Sequence, residues 1–369
     1  VYEEKMKVVV VGGGIMGMMT ARELSKSGAA VTLLEQGKLG QESSWAGGGI
    51  LSPIYPWTYA DSVNALAKWS QQQYPQLAEE LIDEGGVDPQ WTQSGLLVLA
   101  NETTADAMFA KATNWARGYG LACERLDGRM LHEQEPELAE SHTQGLLFPE
   151  IAQIRNPRLI KSLRASCLKR GITLLENSPV SGFVVSGKKV RGVSVGEDKH
   201  EADVVVICAG AWSARLLTSM NIEVPIKPLR GQMLMYRTSP GQINRITLSE
   251  GHYVIPRRDG RVLAGSTQED VGFDKSTTQE ALLELRHTAE TLFPFLAEAE
   301  LENHWSGLRP ESKAGIPYIC MVSGLEGLFL NAGHFRNGVV LAPASVRLVT
   351  DLILQRTPIL EPLDYGLER

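Results

Sequence analysis

Residues 7–17 read Lys7-Val-Val-Val-Val-Gly-Gly-Gly-Ile-Met-Gly17, and this stretch decides the fold. A continuous β-branched run at Val8–Val11 suits a strand buried on both faces of a parallel sheet. Gly12-x-Gly14-x-x-Gly17 follows at once. Next comes a helix-like segment from Ile15 to Ser27, closed by Gly28. A second strand, Ala30–Leu34, ends at Glu35. Each part has a task. Gly12 permits the tight turn, Gly14 lets backbone approach a pyrophosphate, and Gly17 lets the helix pack closely on the strand. The helix N-terminus at Ile15 offers free N–H groups and a partial positive charge to phosphates. Glu35 can accept hydrogen bonds from ribose hydroxyls, and its charge repels a 2′-phosphate, which argues against NADP. Strand, glycines, helix, strand and acid occur in order within about 30 residues, which points to dinucleotide binding.

Working outward, Gly40–Ile50 is a small-residue run in which Ser43 and Ser44 can donate to a diphosphate or a ribityl chain. A flexible loop has the same composition, so composition alone leaves a cofactor cradle and a loop level. Glu201–Gly210 reads as another buried strand ending in small residues, where open α/β sheets bind ligands. Leu328–His334 reads as a further strand and turn. A helix is expected from about Val339 to Gln355, with Pro343 in its first turn. Its N-terminus can hold the negative charge of a reduced ring cofactor.

Together these segments resemble the family of D-amino-acid-oxidase-like FAD enzymes. The matching stretches are Val-Val-Gly-Gly-Gly-Ile at 10–15, Ser-Ser-x-Ala-Gly-Gly at 43–48, Gly-Leu-Arg-Pro at 307–310 and Ala-Gly-His-Phe-Arg-Asn-Gly at 332–338. The first is shared by many flavoproteins; the last two are far more specific. The resemblance runs from Lys7 to the last helix. It implies an α/β fold: a Rossmann-like FAD-binding domain and a second α+β substrate domain built on an antiparallel sheet. Residues 1–88, 150–225 and 305–369 are expected in the first, and 89–149 and 226–304 in the second. It also implies non-covalent FAD, held around Gly12, Gly14, Ile15, Gly17, Glu35, Gln36, Ser43, Ser44, Gly48, Gly49, Ile50, Val180, Gly210, His334, Arg336, Asn337, Gly338, Val339, Val340 and Leu341. Val180 is the position at which the family binds adenine through a backbone group, and Ile50 the one that faces the substrate.

The activity so implied is oxidative deamination of glycine, sarcosine and small D-amino acids. A hydride passes to flavin N5, and O2 is reduced to H2O2. The imine is hydrolysed or supplied to thiazole synthesis for thiamine. Arg309 and Tyr253 are the expected carboxylate anchors, with Arg336 nearby. A homo-oligomer is expected from the family alone. The rival enzyme is a membrane-associated FAD-dependent D-amino acid dehydrogenase with a quinone acceptor, which calls for a basic or amphipathic stretch that is not evident. A third possibility, a non-catalytic FAD-binding subunit, needs no carboxylate anchor.

Apart from the resemblance, several of these residues have plainer readings. Arg309 sits in Ser-Gly-Leu-Arg-Pro-Glu, whose neighbours suggest a strand end or turn, and Glu311 is a ready ion-pair partner. An arginine held there can instead grip a carboxylate with two parallel hydrogen bonds. A strand tyrosine such as Tyr253 often only packs. His334 can act as a base or serve many quieter roles in a loop. From Leu229 to Gly272 the pattern alternates like antiparallel strands, with Asp259-Gly260 as a tight turn. Tyr253, Ile255 and Arg257 then project to one face. Arg257 and Arg258 are expected in solvent beside that turn, with Arg257 a lesser alternative for carboxylate binding. The chain is expected to return to the cofactor domain near Trp305.

Residues 60–149 read as mostly helical and polar, with Trp69, Trp91 and Trp115 as core or interface residues. Asn156–Arg170 reads as a helix and Ser178–Val185 as a strand. Net charge is −7, from 36 Lys and Arg against 43 Asp and Glu, with no basic block, so nucleic acid is excluded as a partner. No run of about 20 apolar residues exists to span a bilayer. Cys123, Cys167, Cys208 and Cys320 stand far apart with no Cys-x-x-Cys pair, which excludes a zinc ribbon or redox dithiol and fits a cytoplasmic protein. No metal site is expected. Cys320 is expected to be a small apolar residue rather than a flavin attachment point. Residues 1–5 read as a loose leader before the first strand.

Overall fold

The computed structural model describes residues 5–100 and 103–368, so all but Lys5 of the leader expected at residues 1–5 lies outside it. Its strands run, in chain order, β1 (Lys7–Val11), β2 (Ala30–Leu34), β3 (Leu96–Leu99), β4 (Glu124–Asp127), β5 (Gln144–Phe148) and β6 (Thr173–Leu175). Then come β7 (Gly182–Ser186), β8 (Lys189–Val195), β9 (Asp198–Glu201), β10 (Val204–Ile207), β11 (Ile226–Arg237) and β12 (Ile246–Ser249). The last five are β13 (His252–Pro256), β14 (Arg261–Gly265), β15 (Glu300–Ser312), β16 (Tyr318–Met321) and β17 (Leu328–Ala332).

A six-stranded sheet has the order β16-β17-β10-β1-β2-β6, parallel throughout except for the β16 edge. Alternation along β1 explains its all-valine run. Val8 and Val10 enter a core with the helices Ile15–Lys26, Asp61–Gly85 and Gly338–Ile353. Val9 and Val11 enter a separate core with Val193, Ile226 and Leu330 on the other face. A strand sandwiched in this way has no polar face.

The second sheet has eight strands in the order β15-β11-β14-β13-β12-β3-β5-β4. It is antiparallel except that β12 pairs in parallel with β3. Leu97, Leu99 and Val254 face one core with the helix Gln279–Leu292. Leu96, Val98, Tyr253 and Ile255 face the opposite way. A small sheet, β7-β8-β9, completes the set.

Several expectations are corrected here. Residues 60–149 are mostly helical as expected, in Asp61–Gly85, Ala105–Tyr119 and Gly128–Gln134, but they also hold three short strands of the second sheet. Within that stretch Trp115 packs against a core with Trp57 and Phe148, and Trp69 and Trp91 pack against the helix core. The expected strand Ser178–Val185 begins only at Gly182, which leaves Val180 in a loop. The hairpin after β13 closes through three residues, 258–260, with Gly260 at φ +83°, because Arg257 and Arg261 still pair. Far from returning at Trp305, the chain stays in the second sheet to Ser312 and pairs with β11 along its whole length.

Pro343 lies in the second turn of the last helix, not the first, because the helix already begins at Gly338. A proline there cannot donate to the Val339 carbonyl one turn back. The Tyr74 hydroxyl on the long helix donates to that carbonyl instead. One turn earlier on the same helix, Ser70 Oγ accepts the Ala344 N–H at 2.9 Å. These two side chains fix the helix whose first residues reach the cleft.

Candidate active site

One long cleft runs between the two main sheets, with about 1730 Å³ of space including its open mouth. Gly12, Gly14 and Ile15 form its wall at the end of β1, with Glu35 and Gln36 beyond β2. Gly12 stands at φ +109°, and a Cβ there would lie 2.4 Å from the Cys208 carbonyl oxygen. Gly17 does not line the cleft; a Cβ there would lie 1.8 Å from the Gly12 carbonyl oxygen. The Glu35 carboxylate accepts the Gly13 N–H at 2.7 Å and the Gly37 N–H at 2.9 Å, which ties the glycine turn to the end of β2. Ser43 and Ser44 begin a single helical turn, and Ser44 Oγ accepts the Ile15 N–H at 3.0 Å. Gly48, Gly49 and Ile50 continue the wall, and Val180 and Gly210 face them.

At the other end, His334, Arg336, Gly338 and Val339 line the cleft, whereas Asn337, Val340 and Leu341 are buried behind it. Burial pushes the His334 pKa down to about 3, so the imidazole is neutral. Its Nε2 is buried with no protein partner. Glycines without space for a Cβ at one end, and an unpartnered imidazole nitrogen at the other, suit a long ligand with a polar ring edge. That description fits FAD. Cys320, paired with Leu330 in the six-stranded sheet, is not part of the wall.

The second sheet supplies the remaining wall: Met233 on β11, Tyr253 on β13 and Arg309 on β15. Arg309 lies on β15, three residues before its end at Ser312, and not in a turn. Its Nη2 donates to Ser266 Oγ at 2.6 Å and its Nη1 to the Thr267 carbonyl at 3.0 Å. Among the described residues it has no carboxylate partner, because Glu311 pairs with Lys227 instead. Burial lowers the Arg309 pKa; Tyr253 opposes that shift and Arg336 adds to it. Such a cation, dry on its protein side and open to the cleft, is poised for an anion. The Tyr253 hydroxyl donates to Met233 Sδ at 3.7 Å and also lies against the Arg309 guanidinium. Arg336 Nη2 touches the Gly251 carbonyl at 3.4 Å.

Arg257 corrects the expectation of a solvated side chain. It is buried, donates to the Gly48 carbonyl and to Gln153 Oε1, both at 2.6 Å, and burial pulls its pKa down to about 9. It clamps the glycine run from behind and does not face the cleft. Arg258 is half-exposed and binds Thr92 and Asp88.

Several wall residues escape a reading of the sequence: Met233, Trp212, Phe335 and Ile54. Ser266 and Thr267, which hold Arg309, escape it as well. Gly231 did carry a signal, since a glycine inside a strand marks a close approach. A Cβ there would lie 2.2 Å from the Arg309 guanidinium. Among the described residues no three His, Cys, Asp or Glu side chains are placed to hold a metal ion, and no helix is long and apolar enough to cross a membrane.

Comparison with known proteins agrees with this geometry. The chain is 44% identical to the glycine oxidase of Pseudomonas aeruginosa over 361 residues, 98% of each protein. It superposes on the crystal structure of glycine oxidase from Geobacillus kaustophilus with a TM-score of 0.94 and 29% identity, covering 99% of both chains. It is 29% identical to the bifunctional protein ThiO/ThiG of Trichormus variabilis, over 97% of this chain and 54% of that one. The family described as DAO, FAD dependent oxidoreductase, matches residues 7–352. The chain therefore belongs to the FAD-dependent oxidoreductase family and is a flavin enzyme.

Proposed function

We propose that this enzyme oxidises the Cα–N bond of glycine, sarcosine and small D-amino acids. The observation that carries the proposal is the Arg309 guanidinium, held by Ser266 and Thr267 and turned to the cleft without a carboxylate of its own. Its free N–H edge grips the substrate carboxylate in a two-pronged contact. Tyr253 donates its phenol hydrogen to the same group, with Arg336 beside it. Ile50, Ile54 and Met233 give the wall an apolar surface that keeps water from the Cα–H bond. Gly12, Gly14, Glu35, Ser44 and the start of the last helix hold the cofactor on the opposite wall.

When bound, FAD supplies a two-electron oxidation of the amine and passes the electrons to O2. Amino acid, O2 and water then give a 2-oxo acid, ammonia and H2O2, with the imine as the species released from the site. The similarity to ThiO/ThiG supports a second fate, in which the imine feeds thiazole formation for thiamine. The residues present need only to place the substrate, and the two carboxylates on the cleft wall are already engaged, Glu35 by the Gly13 and Gly37 N–H groups and Glu42 by Lys275.

Anaerobic mixing with glycine tests the proposal. The yellow absorbance band of the holoenzyme should bleach. Arg309→Ala should raise the KM for glycine by about a hundredfold while FAD stays bound, since a charge-assisted fork contributes about 2–3 kcal/mol. Failure of glycine, sarcosine and a panel of D-amino acids to bleach the band would refute it. Oxygen uptake without added dye distinguishes an oxidase from a quinone-linked dehydrogenase.

A further inference from the structure

The segment from Ser266 to Thr278 joins β14 to the helix Gln279–Leu292 and contains no helix or strand of its own. It is nevertheless tied down at many points. At its start, Ser266 Oγ and the Thr267 carbonyl accept from Arg309. At Glu269 the backbone pairs in both directions with Arg230 on β11, at 2.9 and 3.0 Å. The Glu269 side chain gathers the surrounding donors. Its Oε2 accepts from Arg230 Nε at 3.1 Å and from Nη2 at 2.5 Å, and its Oε1 from Gln232 Nε2 at 2.9 Å and from Thr267 Oγ1 at 2.5 Å. Thr267 Oγ1 in turn accepts the Gln232 N–H at 2.9 Å. Arg230 and Gln232 are both buried.

Arg230, Gln232, Thr267 and Glu269 do not line the cleft, so direct substrate contact does not account for them. Their shared effect is to fix the peptide that supplies two of the hydrogen-bond acceptors on Arg309. A guanidinium with a mobile cradle samples many directions, and the fork loses affinity for a planar carboxylate.

We propose that Glu269 is a positioning residue for the carboxylate anchor: through Thr267, Gln232 and Arg230 it holds the cradle that aims Arg309 into the cleft. The inference rests on the reading of Arg309 given above. The segment's far end meets the cofactor side of the cleft. Lys275 Nζ bonds Glu42 at 2.9 Å, and the Phe273 ring lies 5.4 Å from that of Trp212. Both Glu42 and Trp212 line the cleft, so one strap touches the rim of the cofactor site and the anchor of the substrate site.

The test uses the FAD-loaded enzyme and acetate, which is glycine without its amino group. Acetate binding is read from the perturbed flavin spectrum and requires no turnover. Glu269→Ala should weaken acetate at least about tenfold and raise the KM for glycine by a similar factor, with kcat changed less than about threefold. Glu269→Gln, which keeps an acceptor for Thr267, should recover part of the loss. Thr267→Val keeps the carbonyl on Arg309 but cuts the tie to Glu269, and decides the matter if Glu269→Ala does not fold. A purely structural role would lower the melting temperature and leave acetate affinity unmoved. Folded, FAD-loaded Thr267→Val or Glu269→Ala that binds acetate within about twofold of the parent overturns the inference alone. A parent enzyme that neither binds acetate nor bleaches with glycine overturns the proposed function with it.

Discussion

Gly17 has less latitude than the other glycines near the cleft, although it does not line it. A methyl group there has the Gly12 carbonyl oxygen at 1.8 Å, a backbone atom that cannot move without opening the turn. Gly17→Ala should therefore destabilise the protein by about 3 kcal/mol or more and release FAD, which thermal melting and absorbance of the filtrate would show. This task was legible, because the spacing of three glycines after a strand has one physical solution. Arg257 was not. Beside a hairpin turn an arginine ordinarily reaches water, and only the arrival of Gly48 and Gln153 from distant segments makes its position buried. Arg309 stands out in the sequence through its motif, as the proposed anchor, but Ser266 and Thr267 do not, since they lie about 40 residues before it and signal nothing by type.

Among the elements, the last helix shows how a local defect is absorbed. The segment was visible as a helix, and Pro343 suggested its first turn. The helix starts five residues before the proline, so the Val339 carbonyl loses its helical donor. Its replacement, the Tyr74 hydroxyl, comes from 265 residues away in sequence, a distance over which no periodicity speaks. Tyr74→Phe leaves that carbonyl unpaired in the core and should cost about 1–3 kcal/mol, measured as a lower urea midpoint. Because Val339 lines the cleft, the same variant should retain FAD less tightly. The three strands hidden within the mostly helical stretch 60–149 have a related cause. Strands β3, β4 and β5 have only four or five residues each, too few to show a period of two beside long helices.

The pH response belongs to the whole molecule, since groups in separate regions oppose one another. His334 has its folded pKa at about 3, below the ordinary value of 6.5. Between those values the unfolded chain takes a proton that the native state refuses, so stability rises with pH there and is full above about 6.5. Glu84, bound by Arg22, Arg170 and Ser166, has its pKa lowered to about 2, and its contribution is present above about 4.5 and lost as pH falls toward 2. Glu135 works in the opposite sense. Burial raises it to about 7, so its contribution falls as pH climbs from 4.5 to 7. From pH 5 to 6.5 the His334 share alone is about 2 kcal/mol. His334→Asn should flatten the rise of the urea midpoint over that window, and Glu135→Gln should steepen it.

At this same scale the βαβ start of the six-stranded sheet could be read from 30 consecutive residues, whereas the order of the eight-stranded sheet could not. Its centre joins β3 to β12, with Leu97 beside Thr247, and its edge joins β11 to β15. Such neighbours exist only after most of the chain has been made. While the ribosome is still extending the peptide, β5 can cover one edge of Leu96–Leu99, but the other edge waits bare for a companion 150 positions downstream, an interval in which nascent chains depend on chaperones and are prone to clump.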